Sequence, residues 1–300
     1  MRIRIPNAVR DAVVGNAAVG LIKMVRWTDP HRMSDFAAKV MRKIGPMLRE
    51  HKIGRANLRM AFPEKSDAEI EEILLGVWDN LGRLGIEFAH LDHIWDHDPD
   101  NRGASHIDFD PASEERFIQL RDDGKPALVF AAHLANWEMP ALPGPAHNLP
   151  SAAVYRAPNI GKVADMVMAT RGVNMGRLIK TGLDGAVKAG EALREGLHVG
   201  MLVDQYYVRG VPVTFFGRQT NANPLLARLA RQVECPIHGV RVVRKPNHRF
   251  FIELTPEVAP VRDADGKIDV QGTMQKITTI VEGWIREHPE QWLWLHRRWR

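Results

Sequence analysis

A histidine and a carboxylate, His133 and Glu138, stand just past an apolar run from Ala127 to Ala132. The run is bounded by Gly124-Lys125-Pro126 on one side and polar residues on the other. That predicts a strand buried on both faces. Asn136, Trp137 and Glu138 predict the first turn of a following helix. Groups at the carboxyl end of a strand in an open α/β sheet border the crevice where ligands bind. An imidazole held by a carboxylate there suits a general base, the histidine–acid half of a triad without its serine. Zinc is not implied, because HExxH sets two histidines on one helical face and this segment has one. A plainer reading uses the same residues: a strand-end histidine, and an acid favoured by the helix dipole.

Elements that would position this pair follow from the alternation after His106. Short apolar runs predict strands at 106–109, 127–132, 152–155, 178–179 and 197–203, with helices between them. A long loop is expected from Asp204 to Thr220, and Asn223-Pro224 supplies an N-cap with proline at the first helical position. Lys245-Pro246-Asn247 predicts a hairpin between strands 237–244 and 249–254, and a last helix covers about 270–288. Upstream, Ser34 to Leu58 reads as helical and basic with a break at Gly45-Pro46. Ser66-Asp67-Ala68-Glu69 is a capping box opening a helix with an apolar stripe from Ile70 to Phe88. The polar stretch 92–104, with His93, His97, Asp92, Asp96 and Asp98 and the preceding His90, is read as solvated loop rather than a metal site. The fold class expected is α/β, a mostly parallel central sheet flanked by helices. Residues 31–300 form a single domain in this reading, with a helical layer over 31–100 and a catalytic sheet over 101–300.

Composition narrows the partners. The chain has 300 residues, 45% hydrophobic and 26% charged, enough for a core without staples. A lone cysteine, Cys235, excludes a disulfide framework and suits a reducing setting. Lys and Arg number 41 against 36 Asp and Glu, which favours anionic partners without demanding nucleic acid, for which no module is present. Residues 1–30 are expected to form an interfacial or membrane-anchoring helix; Val13 to Val25 is apolar but carries Asn16 and Lys23 and is short for a span. The C-terminal Trp292, Trp294 and Trp299 with Arg297, Arg298 and Arg300 fit either a membrane interface or a half-buried core segment.

Several blocks in order resemble one family. Asn57-Leu58-Arg59 with Ala61-Phe62-Pro63-Glu64, Asn80-Leu81-Gly82-Arg83, and His133-Leu134-Ala135-Asn136-Trp137-Glu138 come first. Tyr155-Arg156 with Pro158-Asn159, Arg171-Gly172, Val203-Asp204-Gln205 with Gly210 to Gly217, and Pro289-Glu290-Gln291-Trp292 through His296-Arg297-Arg298 complete the set. Over nearly its whole length the chain resembles the late acyltransferases of lipid A biosynthesis, within the lysophospholipid acyltransferase superfamily. It departs in its short, interrupted N-terminal apolar segment and in Ala157, inserted before Pro158.

The resemblance implies a glycerol-3-phosphate acyltransferase-like fold and transfer of a fatty acyl chain from acyl carrier protein to a hydroxyl of a lipid A precursor. The acceptor implied is the 3-hydroxyl of an acyl chain already in place. The cytoplasmic face of the inner membrane is the implied location, peripheral or singly anchored, with no cofactor beyond the carrier thioester. His133 is the implied base and Glu138 the carboxylate that holds it. A thioester is already activated, so transfer is expected to be direct, with Cys235 a packing residue. Arg156, Arg171 or backbone N–H groups near Asn136 would stabilise the oxyanion, or the arginines would bind phosphates. Asp204 would orient an arginine or bind a sugar hydroxyl. Rival expectations are a glycerolipid acyltransferase and a non-catalytic protein that binds anionic lipid.

Overall fold

A computed structural model describes residues 7–98, 105–156, 161–182 and 184–299. The N-terminal part is helical. It comprises α1 (Asn7–Val25), α2 (Pro30–Ile44), α3 (Arg49–Ala61), α4 (Asp67–Ala89) and the one-turn α5 (Leu91–Ile94). Between α2 and α3 a 3-10 turn, Gly45–Met47, forms the break expected at Gly45-Pro46. The capping box of α4 is present: Ser66 Oγ accepts the Glu69 N–H at 3.3 Å and Glu69 accepts the Ser66 N–H at 2.8 Å. The stripe of α4 buries Ile70, Leu74, Val77 and Trp78, as burial of a helix's apolar face requires.

The remainder alternates as expected: β1 (Ile107–Phe109), α6 (Pro111–Asp122), β2 (Leu128–Ala131), the one-turn α7 (Pro143–Ala146), β3 (Ser151–Tyr155), α8 (Gly161–Asn174), β4 (Arg177–Lys180), α9 (Gly185–Arg194) and β5 (His198–Leu202). Then follow β6 (Tyr206–Phe215), β7 (Arg218–Ala222), α10 (Leu225–Val233), β8 (Ile237–Arg244), β9 (Phe250–Leu254) and α11 (Val270–Glu287). A seven-stranded sheet has the order β1-β9-β8-β2-β5-β3-β4. Its pairs are parallel except β8 with β9, the expected hairpin. β2 is central, between β8 and β5, and its Leu128 and Phe130 are fully buried.

Two local expectations are corrected. The stretch from Asp204 to Thr220 is not a loop: β6 and β7 pair antiparallel as a separate two-stranded sheet. Its inward residues, Val213 and Phe215, alternate with exposed Pro212 and Thr214, a period-two pattern that glycines and proline obscure. Nor does a helix begin at Asn136. The backbone instead turns through Ala135 at φ 47° and makes a 3-10 turn at Met139–Ala141. Leu134 bridges to Trp292, and the Ala135 N–H donates to the Gln291 carbonyl at 2.9 Å, so a distant segment takes the groups a helix would use. Pro140, Pro143 and Pro145 then withhold donors.

α1 lies against α8 and α4, and its end exposes Leu21, Met24 and, just beyond, Trp27. Among the described residues no helix is long and apolar enough to cross a membrane. At the other terminus Trp292, Trp294 and Arg298 are buried, so this segment is core and only Arg297 is fully exposed among its described cations. Residues 1–6, the Ala157-Pro158-Asn159 stretch, residues 99–104 and Arg300 lie outside the described residues.

Central packing beneath the β2 end leaves no room at Gly239 on β8. A Cβ there would stand 2.6 Å from the Phe130 ring and 2.8 Å from that of Trp284 on α11. Gly239→Ala is expected to lower unfolding stability by about 1–3 kcal/mol, read as a lower urea midpoint with an unchanged slope.

Candidate active site

Strand register brings the reacting groups together. β2 and β5 run parallel with Ala131 opposite Leu202. Two residues further on, each chain leaves the sheet at its carboxyl edge, and there His133 faces Asp204. His133 Nδ1 lies 2.7 Å from Asp204 Oδ1, and the His133 backbone N–H donates to Oδ2 at 2.8 Å. The Trp292 indole N–H donates to the same Oδ2 at 2.6 Å. The carboxylate is 1% exposed and the imidazole 14%.

Burial would push the Asp204 carboxyl up. The His133 charge, the hydrogen bonds from its ring and backbone, and the Trp292 N–H outweigh it, and the group lies below the usual carboxylate range. An ionised Asp204 accepts from Nδ1–H, so that whenever the imidazole is neutral its lone pair lies on Nε2. The Gln205 amide nitrogen, 3.2 Å from Nε2, is placed to donate to it. The arrangement is a base with its tautomer set by a carboxylate. The Trp137 ring lies edge-on to the imidazole at 5.2 Å.

The carboxylate bonded to His133 is therefore Asp204, not Glu138. Glu138 accepts two bonds from Arg171 of α8, at 2.8 Å from Nε and 2.5 Å from a terminal nitrogen. The pair is mostly buried, with the Arg171 guanidinium about 6 Å from the Phe88 and Tyr155 rings. Sequence spacing suggested a histidine–glutamate bond because a helix was expected; the Ala135 turn instead sends Glu138 toward α8. Asp204, expected to orient an arginine or a sugar hydroxyl, orients the histidine. Arg156, at the end of β3, is exposed and takes no part in the hydrogen bonds of the pair. The N–H groups of Leu134, Ala135, Glu138 and Met139 are bonded within the protein, so those are not free to meet an oxyanion.

A buried network not foreseen in the sequence holds this turn. Asn136 donates to Glu87 of α4 at 3.0 Å, and Arg244 of β8 makes two bonds to Glu87, one of them 2.9 Å long. Asn80 of α4 accepts from Arg244 at 2.9 Å and donates to the Ala135 carbonyl at 3.0 Å. Gln291 accepts the Arg244 backbone N–H at 2.8 Å. One signal was available: Asn80 and Glu87 are the polar side chains on the buried, mostly apolar face of α4. Cys235 stays a packing residue, its thiol pushed up to about 11 by burial and so protonated at neutral pH. In the polar stretch, Asp92 pairs with Arg26 and Asp96 accepts from His106. Among the described residues no group of His, Cys, Asp and Glu could hold a metal ion.

A family model described as bacterial lipid A biosynthesis acyltransferase matches residues 8–300. A lipid A biosynthesis palmitoleoyltransferase of Escherichia coli (strain K12) is 29% identical over 266 residues, 84% of this chain and 79% of that protein. A lipid A biosynthesis acyltransferase of Shigella flexneri has the same identity and coverage. A lipid A biosynthesis lauroyltransferase of Escherichia coli (strain K12) is 28% identical over 264 residues, 85% of this chain and 80% of that protein.

Two outcomes follow from the geometry. A depressed carboxyl contributes stability that is present above its unfolded value and lost as pH falls through the folded one. The stability gap between wild type and Asp204→Asn is therefore expected to be full at pH 7 and to shrink below about pH 4, measured by urea denaturation at each pH. Arg171→Ala leaves Glu138 buried without a partner and is expected to cost roughly 3–5 kcal/mol. The double variant Glu138→Leu/Arg171→Met is expected to cost less than Arg171→Ala alone, by the same measurement.

Proposed function

The chain belongs to the bacterial lipid A biosynthesis acyltransferase family, and from that premise we propose that it moves a fatty acyl chain from acyl carrier protein to the 3-hydroxyl of an acyl chain on a lipid A precursor. The observation that carries the mechanism is the His133–Asp204 pair, in which Asp204 is bonded to Nδ1 and Nε2 is left to act as the base beside a small recess. A secondary hydroxyl is a weak nucleophile and needs its proton removed as it attacks. Nε2 takes that proton. Asp204 holds the ring and stabilises the imidazolium as it forms. The tetrahedral adduct then collapses, the C–S bond breaks, and the imidazolium returns the proton to the departing thiolate of the carrier arm.

Direct transfer fits the absence of a serine or cysteine nucleophile at the pair among the described residues; the only cysteine is protonated. Glu138 and Arg171 act here as an ion pair that fixes the turn bearing His133, which departs from the role expected for Glu138. Basic exposed residues suit both substrates. Acyl carrier protein is acidic, and a basic surface raises its encounter rate; lipid A precursors carry phosphates, for which Arg156 at the exposed edge is suited. Exposed Leu21, Met24 and Trp27, with Lys23 and Arg26 beside them, fit peripheral contact with the cytoplasmic leaflet of the inner membrane. No cofactor is required, since the thioester carries the activation.

Purified protein mixed with carrier-protein thioesters of several chain lengths and a Kdo-bearing lipid A precursor is expected to yield acylated product. His133→Ala is expected to lower kcat roughly 10²–10⁴-fold and Asp204→Asn roughly 10³–10⁴-fold. Turnover on lysophosphatidic acid alone, with no lipid A precursor accepted, would replace this reading.

A further inference from the structure

Charges at the site cancel in pairs, with one pair left separated. Glu138 is matched by Arg171 and Glu87 by Arg244, both through two bonds. Asp204 is buried beside a histidine that is neutral when it waits as a base. Arg298 borders the same recess as His133, Asp204, Gln205 and His296. It is 2% exposed, yet no carboxylate among the described residues lies within ion-pair distance of it. A terminal nitrogen donates to Thr220 Oγ1 at 2.8 Å and to the Asn221 carbonyl at 3.1 Å, and the guanidinium lies 4.8 Å over the Phe215 ring. Its buried Nε has no hydrogen-bond partner among the described residues.

Leaving an arginine buried and unpaired is costly unless another charge compensates it. Burial pulls this guanidinium down to about 10 while the negative charge of Asp204 holds it up, so it remains a cation at neutral pH. The charged or titratable groups facing it are Asp204 from the β5 end, His133 from the β2 end and His296 from its own segment. β6 and β7 meet it with Phe215, Thr220 and Asn221. On α11, which packs on β6, Glu282 is engaged by Arg286 and by the Phe216 N–H.

We propose that Arg298 is the counter-charge of Asp204, a positioning residue that balances the His133–Asp204 pair across the recess. With His133 neutral the trio carries no net charge. When His133 takes the hydroxyl proton, the trio becomes net positive as the oxyanion forms. Without Arg298 the imidazole would sit beside an uncompensated carboxylate and hold its proton more tightly, remaining blocked as a base to higher pH. This inference rests on the acyl-transfer reading above.

The test is the pH dependence of kcat/KM for wild type, Arg298→Met, Arg298→Lys and His296→Asn. Arg298→Met is expected to move the acidic limb upward by about one pH unit, while Arg298→Lys and His296→Asn keep it near the wild-type position. An Arg298→Met enzyme with the wild-type limb, or an Arg298→Lys enzyme that folds but shifts like Arg298→Met, would overturn the proposal. A wild type with no turnover on lipid A precursors would instead defeat the acyl-transfer reading. Arginine-labelled wild-type protein decides the matter without turnover or a folded variant: the Arg298 Nε–H resonance is expected to shift with the titration of His133, and a resonance unmoved through that titration would refute the coupling.

Discussion

Everything at this site depends on a buried carboxylate saturated by donors from two other parts of the chain. Asp204 leaves β5 and receives the ring and backbone N–H groups of His133 from β2 and the indole N–H of Trp292 from the C-terminal segment. A carboxylate taken out of water is tolerable only if its oxygens are met by such donors. The requirement therefore fixes the ends of adjacent strands and the last residues of the chain against one another. The C-terminal segment answers with its own backbone, the Leu293 N–H donating to the His133 carbonyl at 3.1 Å. Trp292 is locked in turn by Trp294 and Phe215, ring against ring.

Around that carboxylate the protein uses ion pairs as braces. Ala135 sits at φ 47°, where a residue with a Cβ is unfavourable by about 1–2 kcal/mol. Its neighbours over-determine it: Gln291 takes its N–H, Asn80 its carbonyl, and Glu87 holds Asn136 while itself clamped by Arg244. Glu138–Arg171 ties the far side of the same turn to α8. Buried pairs of this kind add little net stability but make any other placement of their members expensive. That suits a turn whose use is to keep one imidazole in one orientation.

Much of this architecture was legible from local pattern. The apolar runs announced β2 and β5, the capping box announced α4, and the Lys245-Pro246-Asn247 hairpin lies where turn chemistry put it. Spacing alone left His133 readable as a plain strand-end histidine, and the motif blocks around it are what singled it out. The identity of its carboxylate was not legible, because Glu138 is near in sequence and Asp204 is near only through the pairing of β2 with β5. Strand order and register are long-range properties that spacing does not encode. The absent helix after Asn136 has the same origin: backbone groups that local propensity would spend on a helix are claimed by Gln291 and Trp292, far away in sequence. Arg298 fitted a membrane interface and a half-buried core segment equally, and packing against Phe215 and Thr220 decides for the interior.

The most direct test of the central claim is proton NMR of histidine-labelled protein. A bond of 2.7 Å between His133 Nδ1 and Asp204 gives a strongly deshielded Nδ1 proton protected from exchange. That resonance is predicted to survive Glu138→Gln and to vanish in Asp204→Asn. Loss in Glu138→Gln with survival in Asp204→Asn would contradict the account and return the orienting role to Glu138.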